Sequence, residues 1–241
     1  MRFLLTTILS LLLLSFQVFS QNTQITSFSK SKKQLAKVYK DNPITLYCGC
    51  SFKGKTPDFS SCGYIPKKNN KRANRIEWEH VVPAYTFGIF FSEWTVGHPK
   101  CVTKKGKKYK GRRCASRVNR EFKRMEADMY NLFPAIGEVN GLRSNYSMTI
   151  IKGEERKFGK CDVEIKRKRV EPREEVRGEI ARTYMYMDSV YPGKGIISNQ
   201  NRKMFEQWDR SDPVDKWECE RARRIERIQG NRNEVVMKRC Y

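Results

Sequence analysis

Eight cysteines stand at Cys48, Cys50, Cys62, Cys101, Cys114, Cys161, Cys219 and Cys240, and this even set limits the fold more than any other feature. Paired as four disulfides, they require an oxidising compartment and pin loops onto whatever core the remaining sequence builds. Cys48-Gly49-Cys50 also raises the possibility of a zinc site. Its gap is tighter than zinc-finger spacing, and no His or Cys pair follows at the required distance, so disulfides are favoured. Sequence alone leaves the pairing open. Cys101–Cys114 and Cys219–Cys240 are among the cheapest loops to close.

Export agrees with the cysteines. Residues 1–20, MRFLLTTILSLLLLSFQVFS, carry Arg2 as their only charge, then a leucine-rich run ending in the small residue Ser20. That is the pattern of a secretory signal peptide cut after Ser20. The alternative, an uncleaved anchor, is disfavoured because the run is short for a bilayer and interrupted by Thr and Ser. Charges recur through the rest of the chain, so no membrane association is expected after cleavage, and the location is periplasmic or secreted.

Residues 21–46 form an N-terminal segment whose first part, 21–33, is polar and reads as loose; residues 47–241 form the main domain. From Cys48 to Arg75 the chain is rich in Gly, Pro, Lys and Asn and predicts pinned loop. Ile76, Trp78, His80 and Val82 then alternate with Glu77, Glu79 and Val81, a strand pattern closed by Pro83. Downstream, SRVNREFKRMEADMY carries a helical stripe of Val118, Phe122, Met125 and Met129, and REEVRGEIARTYMYM one of Val176, Ile180, Tyr184 and Met187. A last helix is predicted with Asp212 as N-cap, Pro213 in its first turn and Gly230 as its stop. No repeat or linker divides the chain. The fold class is α+β, a mixed single domain with several helices and disulfide-pinned loops.

Lys and Arg number 49 against 26 acidic residues, a formal net charge of +23. Such an excess predicts attraction to polyanions: nucleic acid, anionic lipid or acidic glycan. The segment HPKCVTKKGKKYKGRRC, residues 98–114, concentrates it between two cysteines, and a tethered cationic loop beside a cleft suits phosphate binding. Hydrolysing a phosphodiester requires a cation on the phosphate and a base for water. His80 offers the base, Glu79 a metal ligand, and Asn131 a second oxygen. One objection stands, since neighbours on a regular strand point to opposite faces.

Longer motifs bear on that choice. Cys48-Gly49-Cys50, IEWEHVVPA (76–84), RMEADMYNLFPAIGEVNGLRSNY (124–146), EPREEVRGEIART (171–183) and WECERARRIERIQGNRN (217–233) occur in that order. Over nearly the whole mature chain the sequence resembles the bacterial endonuclease I family of secreted and periplasmic non-specific nucleases, which carry a ββα-metal (His-Me finger) active site. The resemblance implies His80 as general base and Glu79 and Asn131 as ligands of one divalent ion, Mg²⁺ by preference and Mn²⁺ or Ca²⁺ as alternatives. It also implies a monomer that cleaves DNA, and RNA as well, to 5′-phosphate and 3′-hydroxyl ends. An arginine near the scissile phosphate is expected in the cysteine-bracketed loop, which leaves Lys100, Arg112 and Arg113 as candidates. Arg143, Arg177 and Arg182 lie in matching motifs, with phosphate contact and internal ion pairing as equal readings. Tyr130 stands where the family often has a histidine, a change that bears on the surroundings of the metal. The alternatives are an inactive nucleic-acid-binding protein of the same fold, and a cationic surface-binding protein.

Overall fold

The computed structural model describes residues 20–67, 71–153 and 155–240, so the leader expected over residues 1–20 falls outside them except for Ser20. The segment expected to be loose is ordered. Asn22 is fully buried, with its side-chain amide donating to the carbonyls of Ile25 and Arg124. Helix α1 (Phe28–Val38) follows, capped by Ser27, whose side chain accepts from the Lys30 N–H. Leu35 and Val38 bury on one side. Few apolar residues are needed when they share one face and the cap is sound, which is why overall polarity misleads here.

Within the pinned loop, β1 (Phe52–Lys53) and β2 (Thr56–Pro57) form a short antiparallel hairpin. Cys48 bonds to Cys161 and Cys50 to Cys62, so the two cysteines flanking Gly49 serve different bridges and no zinc. Strand β3 (Ile76–His80) stops two residues before the expected end. After it come α2 (Ala84–Gly88), α3 (Ser92–Thr95), α4 (Arg112–Val118) and α5 (Arg120–Glu126). The single helix expected around Val118 and Phe122 is therefore divided. Asn119 adopts extended backbone, and its side-chain oxygen accepts from the Phe122 N–H, so it caps α5 instead of continuing α4.

A 3₁₀ turn (Met129–Asn131) leads into β4 (Leu132–Ile136), which pairs antiparallel with β3 from Ile76↔Ile136 to His80↔Leu132. Helix α6 (Gly137–Arg143) packs on both strands and completes a strand-strand-helix unit. Strands β5 (Ser147–Met148), β6 (Val163–Lys166) and β7 (Arg169–Pro172) make a small mixed sheet in the order β5-β7-β6. The remainder is helical: α7 (Arg177–Val190), α8 (Asn199–Ser211), α9 (Lys216–Gln229) and α10 (Glu234–Met237).

The expected stripe of α7 is buried at Ile180, Tyr184 and Met187. Asp215, not Asp212, caps α9, accepting from the Glu218 N–H, while Gly230 ends it at φ 80° as expected. Asp212 instead closes α8 and accepts from the Gly178 N–H at the start of α7. Cys101–Cys114 and Cys219–Cys240 are both formed. One cluster of buried side chains runs from Leu35 to Met237 through these elements, an α+β architecture. Among the described residues no helix is long and apolar enough to cross a membrane.

Candidate active site

A cleft of about 1530 Å³ runs along β3, and every residue of that strand from Ile76 to His80 lines it. Among the described residues β3 forms a sheet with β4 alone, and its other edge is met by the Lys55 carbonyl at the Ile76 N–H and by Arg143 at the His80 carbonyl, without a further strand. Side chains from both faces of a strand reach a cleft that follows its edge, and this removes the objection that Glu79 and His80 cannot share a site. Cations surround the opening: Lys32, Lys33 and Lys40 from α1 and the residues beyond it, Lys53 and Lys55 from the first hairpin, and Arg112 from α4.

His80 is 7% exposed. Its Nε2 lies 2.8 Å from the Glu126 carbonyl, which can only accept, so Nε2 carries the proton and Nδ1 keeps the lone pair. Burial, then the charges of Arg112 and Arg143, bring its pKa down to about 3, with the carbonyl contact opposing them. The imidazole is therefore neutral at physiological pH.

Glu79 is 3% exposed and turns its Oε1 to two donors, the Tyr47 hydroxyl at 2.9 Å and the Arg143 Nη1 at 2.9 Å. Arg143 is itself sealed from solvent and donates further to the carbonyls of His80, at 2.9 Å, and Val81, at 2.5 Å. It thus holds the backbone of the reactive stretch and the carboxylate together. Even so, burial leaves the Glu79 carboxyl raised above its ordinary range, with Arg143 and Tyr47 only partly offsetting that effect. A buried carboxylate with incomplete compensation favours a further cation, and Oε2 is the oxygen left for one.

The structure does not bring Asn131 to this cleft. Its side chain is fully buried, with Oδ1 accepting from the Val82 N–H at 2.7 Å and Nδ2 donating to the Val82 carbonyl at 2.9 Å. Both ends of the amide are spent on the chain just past His80. Asn140 on α6 lines the cleft instead. Its Nδ2 donates to Glu77 Oε2 at 2.9 Å, which fixes the amide and leaves the oxygen as the group it can offer. Asn140 and Arg143 stand three apart on one helical face, a spacing legible in GEVNGLR.

Helix α6 approaches closely because it carries glycines. A Cβ at Gly137 would lie 2.5 Å from the Arg72 carbonyl and 3.0 Å from the Glu77 carboxyl, and one at Gly141 would collide with the Arg72 guanidinium. Among the described residues no group of three or more His, Cys, Asp or Glu side chains is placed to hold a metal. The donors available, one carboxylate and a neutral amide oxygen, fit a hard divalent cation that keeps positions for water and phosphate.

The remaining candidates separate clearly. Arg112 lines the cleft and pairs with Glu126 at 2.6 Å. Lys100 and Arg113 are exposed but outside the cleft lining, and Arg113 sits over the Tyr109 ring. Arg177 and Arg182 are turned inward, which favours ion pairing over phosphate contact. Arg177 pairs with Glu171 and Glu174, and buried Arg182 with Glu218 and Asp209. Tyr130 is buried too, its hydroxyl donating to the Asn231 carbonyl at 2.9 Å with the Ala222 carbonyl at 3.2 Å, so its difference from histidine lies in the core.

Comparison with known proteins identifies the family. The Endonuclease I family model matches residues 14–240. A periplasmic deoxyribonuclease of Aeromonas hydrophila is 46% identical over 95% of this chain and 92% of its own. An extracellular deoxyribonuclease of the same organism is 45% identical over 95% of each chain. The Endonuclease-1 of Buchnera aphidicola subsp. Acyrthosiphon pisum is 45% identical over 90% of this chain and 83% of its own. The chain belongs to the endonuclease I family.

Proposed function

We propose that this endonuclease hydrolyses phosphodiester bonds of DNA, and of RNA, without sequence preference, in the periplasm or outside the cell. The observation that carries the reading is the convergence of Glu79, His80 and Asn140 on one cation-lined cleft. The printed names of the Aeromonas relatives support DNA as substrate and an extracytoplasmic location. Lys32, Lys33, Lys53 and Lys55 receive phosphates along the cleft, and phosphate contacts carry no base information, in keeping with indifference to sequence.

In this reading His80 Nδ1 takes the proton from the attacking water, and the Glu126 carbonyl holds the opposite nitrogen in the required tautomer. An entering phosphate raises the imidazole's low pKa, because its negative charge opposes the effects of Arg112 and Arg143. Glu79 and Asn140 would hold a divalent cation, Mg²⁺ in the simplest case, which when bound supplies neutralisation of the phosphate and of the leaving 3′ oxygen. Arg143 opposes the upward push of burial on the Glu79 carboxyl and aligns it with the backbone of His80. Asn131 supports the site indirectly, by clamping Val82.

Plasmid nicking by wild type and by His80→Ala, each in Mg²⁺ and in EDTA, tests this directly. Only wild type in Mg²⁺ should convert supercoiled DNA, giving ends that ligase rejoins. Cleavage in EDTA would overturn the metal assignment, and cleavage by His80→Ala the base assignment.

A further inference from the structure

One hydrogen bond does not fix an imidazole, because the ring can still swing about its N–H···O axis. A second contact on His80 comes from far away in sequence. The Phe28 ring, in the first turn of α1, lies 4.8 Å from the His80 ring centroid at an interplanar angle of 47°. We propose that Phe28 is a positioning residue for His80, and that the N-terminal helix is thereby part of the catalytic centre. This rests on His80 being the general base.

Three observations carry the inference beyond simple packing. First, Phe28 is itself held: the Lys32 ammonium stands 4.7 Å and the Arg112 guanidinium 5.4 Å from its ring centroid. Cations at these distances favour a fixed ring. Second, Arg112 also bonds Glu126 through its carboxylate, and the carbonyl of that same Glu126 receives His80. Phe28, Arg112, Glu126 and His80 thus form a closed circuit of contacts. Third, the N-terminal segment is fastened to the backbone that orients His80. Asn22 donates to the Arg124 carbonyl at 3.1 Å, and Ser31 Oγ to the Ala127 carbonyl at 2.6 Å, on either side of Glu126. The ring that presses on His80 and the carbonyl that receives it are therefore set in one frame. With Nε2 held inward, the contact keeps Nδ1 directed at the cleft, and the aromatic cover limits water at the ring.

The mature chain offers a clean test, because it contains only two histidines, His80 and His98. In ¹H–¹³C spectra of wild type, the His80 ring protons should be displaced by the Phe28 ring current, unlike those of His98. Phe28→Leu should move the His80 signals toward ordinary histidine positions while the amide spectrum stays dispersed. Steady-state cleavage of a fluorescent duplex in Mg²⁺ should show kcat reduced on the order of 10-fold in Phe28→Leu, with KM within about 2-fold, as expected for a misplaced base. Phe28→Tyr, which keeps the ring, should restore kcat to within about 2-fold of wild type on the same geometric argument. Full kcat in a folded Phe28→Leu, a loss confined to KM, or unmoved His80 signals would each overturn the proposal. Activity in His80→Ala would overturn the general-base reading and this inference with it. An inactive His80→Ala beside a fully active Phe28→Leu would overturn this inference alone.

Discussion

Replacing Arg143 with methionine should expose how much of the site depends on one buried cation. Arg143 is sealed from solvent and its shortest contacts are to Glu79 and the carbonyls of His80 and Val81, with the Ser144 carbonyl and the Tyr184 hydroxyl farther off. Removing one partner of a buried pair costs about 3–5 kcal/mol, because the other charge is left uncompensated. The orphaned carbonyls add to this, and protonation of Glu79 subtracts from it, so about 3–5 kcal/mol is expected overall. For a chain of this size that corresponds to a fall in Tm of about 6–20 °C.

The pH dependence follows from Glu79. Its folded pKa lies above the ordinary 4.5 even with Arg143 present, and rises further without it. A raised carboxyl pKa means that the native state holds the proton longer than the unfolded state does, so stability falls as pH rises above about 4.5. The deficit of Arg143→Met should therefore be largest near pH 7.5 and shrink towards pH 4, where Glu79 is protonated in both states. Urea denaturation followed by circular dichroism, with disulfides intact and EDTA present, measures it. Glu79→Gln in the Arg143→Met background should recover part of the loss. A deficit under about 1 kcal/mol, or one independent of pH, would refute the assignment of Arg143 as the counter-charge of Glu79.

Asn140→Ala should leave stability within about 1 kcal/mol of wild type but raise the Mg²⁺ concentration for half-maximal cleavage at least ~10-fold, measured by metal titration. Asn131→Ala should do the reverse, destabilising by about 2–5 kcal/mol through the two unpaired groups of Val82, visible as a lowered Tm. Affinity for duplex DNA should fall linearly with log salt, and Lys53→Ala with Lys55→Ala should reduce that slope by about 2, read by fluorescence anisotropy. Replacing Cys101 and Cys114 with serine opens a bridge spanning 13 residues and should cost roughly 3 kcal/mol in denaturation, while the cleft-facing part of α4 remains.

Local chemistry was readable from the sequence where residue type and position coincide. The strand around Trp78, the pairing of Glu79 with His80 and the stop at Gly230 are of this kind. Asn131 shows the limit. Its amide suits a ligand as well as that of Asn140 does, and only the fold decides that one closes on Val82 while the other opens to the cleft. Arg143 and Arg182 were equally ambiguous, since a guanidinium beside phosphate and one inside an ion pair obey the same spacing rules. The N-terminal helix was missed because its worth lies in contacts with residues about a hundred positions away, at Arg124 and Ala127. Asn119 divided an apparently continuous helix because its side chain competes for the backbone, which an apolar stripe does not register.

The glycines of α6 set a trap for anyone hardening this enzyme. Replacing a helical glycine with alanine commonly gains about 0.4–1 kcal/mol, so Gly141 would rank high among candidates for thermal improvement. Here the added methyl would collide with the Arg72 guanidinium, whose grip on Glu77 helps to keep Asn140 oriented. A flexible arginine tip can move aside, so the helix would gain stability while the amide lost its guide. A Gly141→Ala enzyme should melt later and cut more slowly.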